Sequence, residues 1–148
     1  MSGPRAEEAR RWFHQARYDL AAARWNIDGG FNDTACFLAQ QSAEKALKSV
    51  LHFLRAGRSR LLGHSVAEML KTAARKIPGA EDLLESGREL DMHYIPARYP
   101  NGLPDGFPHR FYSRDMAERA VAAADRILGF TEQYYSSQGM GDILNEEE

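Results

Sequence analysis

At 148 residues the chain has room for one domain with a substantial core and not for two ordinary ones. Its composition is 43% hydrophobic and 27% charged, with a formal net charge of −2 and a pI near 6.2, which excludes a protein that tracks phosphates by overall positive charge. The single cysteine, Cys36, excludes an internal disulfide or a cysteine-rich zinc site and reads as a small core hydrophobe; with no secretory-type N-terminus and no run long enough to cross a bilayer, the expectation is a cytoplasmic protein without a membrane partner.

Pro4 suits the first turn of a helix, and Ala6, Ala9, Phe13, Ala16, Leu20, Ala23 and Ile27 alternate steps of three and four, the seam of a nearly antiparallel bundle helix. Trp12, Tyr18, Ala22 and Trp25 lie off that seam. Asp28-Gly29-Gly30 ends this helix, and Asn32 is placed to cap the next, with Phe31 and Cys36 as a hydrophobic staple. Residues 31–54 then form the central strut, apolar along Ala35, Leu38, Ala39, Ala43, Ala46, Leu47, Val50 and Leu51, with Gln40, Glu44 and Lys48 as a row left open to solvent and Glu44 to Lys48 spaced as an ion pair.

Arg55, Arg58 and Arg60, with His64 after them, make the densest positive patch, suited either to phosphate or simply to solvation beside a helix C-terminus. Ser65 and Glu68 form a capping box for a third helix ending at Pro78-Gly79, and a shorter helix runs over about residues 81–94, weakened by Gly87. Four prolines and two glycines between residues 95 and 111 exclude a regular helix or a central strand, and this long segment carries Arg98, Tyr99, His109, Arg110 and, just beyond, Tyr112. Ser113 caps the last helix, which is apolar along Met116, Ala120, Ala123, Ile127, Phe130 and Tyr134. Residues 136–148 are polar and acidic and are expected to form a disordered tail.

The fold expected is therefore all-α: an antiparallel up-and-down four-helix bundle, with a short additional helix and a long proline-rich loop before the last helix. The five histidines include no metal-ligand pair on one helix face, and Walker, dinucleotide-loop and GxSxG patterns are all missing, so no metal, cofactor or serine nucleophile is expected. A nucleotide site is readable from residue types: Arg98 and Arg110 for phosphates, Tyr99 or Tyr112 for base stacking, and Lys48 from the central helix, with the segment from Arg98 to Tyr112 closing over a cleft against that helix. Tyr99 and Pro100 serve equally well to pack the loop onto the bundle.

The ordered series of an N-terminal helix with Ala16 to Leu20, the block Gln40-Gln41-Ser42-Ala43-Glu44-Lys45-Ala46-Leu47-Lys48, Gly63-His64-Ser65, and Tyr94 through Arg98-Tyr99-Pro100 resembles the HEPN (higher eukaryotes and prokaryotes nucleotide-binding) domain. The resemblance covers residues 5–135. It implies a helical bundle, commonly a homodimer, and in some members a site for a nucleotide such as a purine triphosphate. It also implies, for bacterial members, a minimal nucleotidyltransferase partner. Another branch of the family are metal-independent ribonuclease toxins of toxin-antitoxin pairs, marked by an arginine and a histidine four to six residues apart near the last helix. Here Arg98 and His109 have ten residues between them, whereas Arg58 and His64 have the short gap but precede the third helix. The sequence thus favours a non-catalytic nucleotide-binding or partner-binding domain over an RNA-cleaving enzyme that would use Arg98 and His109.

Overall fold

The computed structural model describes residues 3–57, 61 and 63–146. The long helices are α1 (Pro4–Asp28), α2 (Asn32–Phe53) and α6 (Arg114–Ser137), and between α2 and α6 lie α3 (Val66–Ala74), α4 (Leu84–Asp91) and the single turn α5 (Pro108–Phe111). Three short 3-10 turns, Ala80–Leu83, Pro100–Gly102 and Gly141–Leu144, complete the described chain, which contains no strand. Among the described residues no helix is long and apolar enough to cross a membrane.

The α1–α2 hairpin forms as its spacing predicts, with Gly30 at φ 83° in the left-handed conformation that glycine adopts without steric cost. Alanines on both helices, including Ala9, Ala16, Ala39 and Ala43, are fully buried and let the backbones approach closely. The approach is close enough for Ser42 Oγ to donate to the Ala16 carbonyl at 2.7 Å and Ser49 Oγ to the Ala9 carbonyl at 2.6 Å. Asn32 does not cap α2: it is the first helical residue, Phe31 holds the capping position, and no side chain bonds the helix start. Ser65 and Ser113 do cap, accepting from the amides of Glu68 and Met116.

Contacts fix the sense of each helix. Arg24 meets Asp125 and Arg17 meets Glu132, so α6 is antiparallel to α1 and runs with α2. The expected all-α bundle is present, and its contacts refine the connectivity: the start of α3 lies beside Gln40, while Thr72, Arg75 and Lys76 at its end lie near Leu51 and Leu54, so α3 follows α2 in the same sense. The shorter helix then returns along α3. Gly87 is less a weakness than a condition of that packing, because a Cβ there would stand 2.8 Å from Leu70 Cδ1 and 3.2 Å from the Ala67 backbone.

Two further expectations are revised. The proline-rich segment contains two helical turns, each begun by a proline, Pro100 and Pro108, whose missing N–H costs nothing at a first position. The chain also does not leave the bundle after α6. The turn Gly141–Leu144 buries Ile143 completely against α1, where Arg10, His14 and Arg17 bond the carbonyls of Asp142, Ile143 and Leu144. Ile143, with Met140 and Leu144 packed partly buried beside it, and a row of α1 side chains hold this polar stretch in place; Glu147 and Glu148 lie outside the described residues.

Candidate functional site

The polar row of α2 is the main departure from expectation. Gln40, Glu44 and Lys48, expected to face solvent, are 0, 4 and 6% exposed. Lys48 Nζ donates to Glu44 Oε2 at 3.1 Å, and Gln40 Nε2 donates to Glu44 Oε1, also at 3.1 Å. The indole of Trp12 lies 5.5 Å from the Lys48 ammonium, stacked in turn on His52 and held by its own N–H to Glu8. An ion pair removed from water carries a desolvation cost, so it persists only when further hydrogen bonds and ring contacts compensate it, as they do here. Burial pushes the His52 pKa below its ordinary value; nearby Glu8 opposes that shift and Lys48 adds to it.

His64 closes this network on the open side. Its Nδ1 is 3.2 Å from Glu44 Oε1, and its carbonyl accepts from Gln40 Nε2 at 3.2 Å. Its position is fixed from α4 as well, because Asp91 accepts from the amides of Val66 and Ala67 and from Ser65 Oγ, holding the first turn of α3 with a carboxylate. The His64 side chain remains 51% exposed while that of Glu44 is only 5% exposed, so the imidazole is the outlet of an otherwise enclosed charge network.

One turn beyond Asp91 the chain brings Tyr94 onto His64, ring centroids 4.7 Å apart and nearly parallel at 18°. Arg98 lies over the same tyrosine at 4.7 Å, over Phe37 of α2 at 4.3 Å and over Tyr99 at 5.0 Å. Its Nε donates to the Tyr94 carbonyl at 2.9 Å, and among the described residues its two terminal nitrogens take no hydrogen bond. The result is a continuous line from Trp12 through Lys48, Glu44 and His64 to Tyr94 and Arg98.

The sequence-derived candidates fall in different places. Arg98, Tyr99 and His64 gather at the outer end of this line, with Lys48 enclosed at its inner end. Arg110 lies apart, over Phe107. Tyr112 is buried, its hydroxyl 3.1 Å from His93 Nδ1, and burial raises its pKa to about 12, as befits a core residue. His109 pairs with Asp33 at 3.1 Å and leans on Phe31 at the start of α2, so among the described residues no contact joins it to Arg98. His64 is separated from Arg55, which sits at the far end of α2, and Arg58 and Arg60 lie outside the described residues. Cys36 is buried, and desolvation first, then Asp33 and Glu89, push its thiol up to about 12; it packs rather than reacts.

Residue-by-residue reading missed Glu44 as the partner that orients His64, Asp91 as the cap that positions it, and Tyr94 as the surface shared by His64 and Arg98. The signal available was the four-residue spacing of Gln40, Glu44 and Lys48, which is equally that of a solvated helix face.

The model of the HEPN domain matches residues 9–134. The chain belongs to the HEPN domain family. It is 30% identical over 131 residues to human sacsin, a match that covers 82% of this chain and 3% of sacsin. Among solved structures, TT1696 from Thermus thermophilus is 41% identical with a TM-score of 0.78, covering 85% of this chain and 97% of that one. An archaeal HEPN homologue is 33% identical with a TM-score of 0.71, covering 86% and 97%, and a HEPN domain protein from Thermotoga maritima is 34% identical with a TM-score of 0.67, covering 85% and 98%.

Proposed function

We propose that this HEPN domain is a non-catalytic nucleotide-binding module in which Arg98 receives the phosphates and Tyr99, beside it, offers a ring to the base. The observation that carries this reading is the state of Arg98: its guanidinium is held among three aromatic rings, its Nε is anchored to the Tyr94 carbonyl, and its two terminal nitrogens take no partner among the described residues. A cation fixed in that way loses little freedom on meeting an anion. His64, half exposed and stacked on the same Tyr94 ring, supplies a second polar group. Lys48 acts indirectly, holding Glu44 and hence His64.

Titration calorimetry with a purine nucleoside triphosphate tests this. A well-aligned arginine contact to phosphate is worth about 1.5–3 kcal/mol, so Arg98→Ala is expected to weaken binding roughly tenfold or more while the melting temperature changes little. Unchanged affinity with a sharply lower melting temperature would instead make Arg98 a structural tie to the Tyr94 carbonyl.

One observation favours a second reading, RNA cleavage without metal. His64 has a buried carboxylate behind it and stacks on the Tyr94 ring over which Arg98 also lies, so one aromatic cluster carries both a proton-transfer group and a cation, the two groups that phosphodiester cleavage requires. Metal-free incubation with RNA, comparing the wild-type chain with His64→Asn, decides it. Exposed Tyr18 and Trp25 on α1, 58 and 78% accessible, support a homodimer, and Trp25→Glu is expected to shift light scattering toward the monomer. Pairing with a minimal nucleotidyltransferase chain and a cytoplasmic location belong to the same reading.

A further inference from the structure

Helices α2 and α3 end on the same side of the bundle, at the C-terminal end of α2 and beyond the middle of that helix, where His64 meets Gln40 and Glu44. Just after α2, Arg55 adopts φ 59°, in the left-handed region, as the chain turns with the Arg55 amide donating to the His52 carbonyl at 3.1 Å. That turn sets Arg55 across a cleft from Arg75 and Lys76, the two residues that follow α3. The cleft encloses about 240 Å³, with Leu51, Leu54 and Ala56 among its apolar residues and Gly57 and Thr72 completing it.

The charged residues that line this cleft are all of one sign. Several basic side chains elsewhere face a carboxylate: Arg11 with Glu8, Arg17 with Glu132, Arg24 with Asp125, Lys45 with Asp19 and Arg119 with Glu89 are examples. Arg55, Arg75 and Lys76 have no ion-pair partner among the described residues, and no acidic residue lines the cleft. The neighbouring sequence outside the described residues, Arg58-Ser59-Arg60 and Leu62, contains no carboxylate either.

Basic residues near helix C-termini are often explained by the dipole. Two helix ends present roughly half a negative charge each, about one in all, against three cations, which leaves a surplus of about two positive charges on a protein whose net charge is −2. We propose that this cleft binds a compact, multiply charged phosphate anion, the di- or triphosphate group of a small molecule. Three cations around one small cavity suit charge concentrated on one group. An extended nucleic-acid backbone, with its charges spread along a line, would call for a row of cations. The apolar residues of the cleft suit the uncharged part of such a molecule. The site is separate from Arg98, which meets α2 at Phe37 rather than at its C-terminal end.

The test is titration of the whole chain with inorganic tripolyphosphate, pyrophosphate and orthophosphate at low salt, read by calorimetry and by amide chemical shifts. Affinity is expected to fall in that order, with shifts centred on Gly57, Thr72 and Lys76. The exposed pair Arg75→Gln with Lys76→Gln should weaken tripolyphosphate at least tenfold and reduce its salt dependence without altering the melting temperature. Arg55→Gln, which keeps a comparable backbone demand, should do so to a lesser degree. Arg98→Ala should leave this binding unchanged, which separates the two sites. Absence of saturable tripolyphosphate binding at millimolar concentration would overturn the proposal. So would undiminished binding by the Arg75 and Lys76 double variant, shifts confined to residues 94–99, or binding of RNA oligonucleotides that tripolyphosphate fails to compete away.

Discussion

Helix α2 buries polar side chains on two sides, and the two sides solve the same problem differently. Toward α1, Ser42 and Ser49 are fully buried, and each short hydroxyl satisfies itself on a backbone carbonyl across the helix contact. Ser49 also meets the hydroxyl of Tyr135, at 2.6 Å, tying α6 to the hairpin. Toward the start of α3, Gln40, Glu44 and Lys48 are nearly as buried, but they are long and carry charge, so they need one another, Trp12 and His64. The hydroxyl side is closed and sets the register of the hairpin. The charged side stays open through His64, which makes it the side on which a ligand can be felt.

The largest expected effect comes from breaking the charged side. Glu44→Ala strands Lys48 in the interior and should cost about 3–5 kcal/mol, read from urea denaturation. Replacing both residues at once, Glu44→Leu with Lys48→Met, should recover most of that loss, because a packed apolar pair avoids the desolvation cost. If the double variant is as unstable as the single one, the network is structural in a way a simple ion pair is not.

On the hydroxyl side the effect should be smaller. Ser49→Ala leaves the buried Tyr135 hydroxyl without its partner and should cost about 1–3 kcal/mol, with the proposed nucleotide binding at Arg98 unaffected. A loss of affinity there would erase the contrast between the two sides. Asp91→Ala removes the carboxylate from the first turn of α3 and should cost about 0.5–2 kcal/mol; unlike Ser49→Ala, it should also loosen His64, visible as a changed imidazole NMR signal.

The smallest effect concerns acidity. His52, stacked on Trp12 over the charged side, has its folded-state pKa lowered by burial, so the folded protein prefers it neutral. Its contribution to stability is therefore complete above the unfolded value, near 6.5, and is lost as pH falls below that value toward the lower folded one. His52→Gln should accordingly flatten the fall in melting temperature between about pH 7 and pH 5, and NMR titration should place the His52 midpoint below the ordinary histidine value.

Much of the fold was legible because it rests on periodicity. The stripe from Ala6 to Ile27, the turn at Gly29-Gly30, the caps at Ser65 and Ser113 and the breadth of the apolar face of α2 are local patterns with local causes, and each appears where the spacing places it. The site was legible only in part. Arg98 and Tyr99 were recognisable as a cation and a ring in a segment that cannot be regular structure, and Tyr94 lies only four residues before Arg98, whereas the rest of their company depended on contacts remote in sequence: Phe37 from α2, and His64 stacked on Tyr94. Tyr112 and Arg110 carry the same residue types and yet stand elsewhere, one in the core and one on Phe107.

By itself the sequence determined the helices, their buried apolar faces and the family, since hydrophobic spacing, capping chemistry and the order of its motif blocks are properties of the chain read in one dimension. Only the tertiary structure decided which polar residues were enclosed. Gln40, Glu44 and Lys48 have the spacing of a solvated face, and they became interior because the start of α3, pinned by Asp91, and the indole of Trp12 settled over them. The same holds at the other end of α2, where Arg55 meets Arg75 and Lys76 only because α3 runs beside α2 in the same sense. Burial and charge pairing depend on which elements pack together, and helical spacing alone cannot distinguish a face turned to water from one that another element covers.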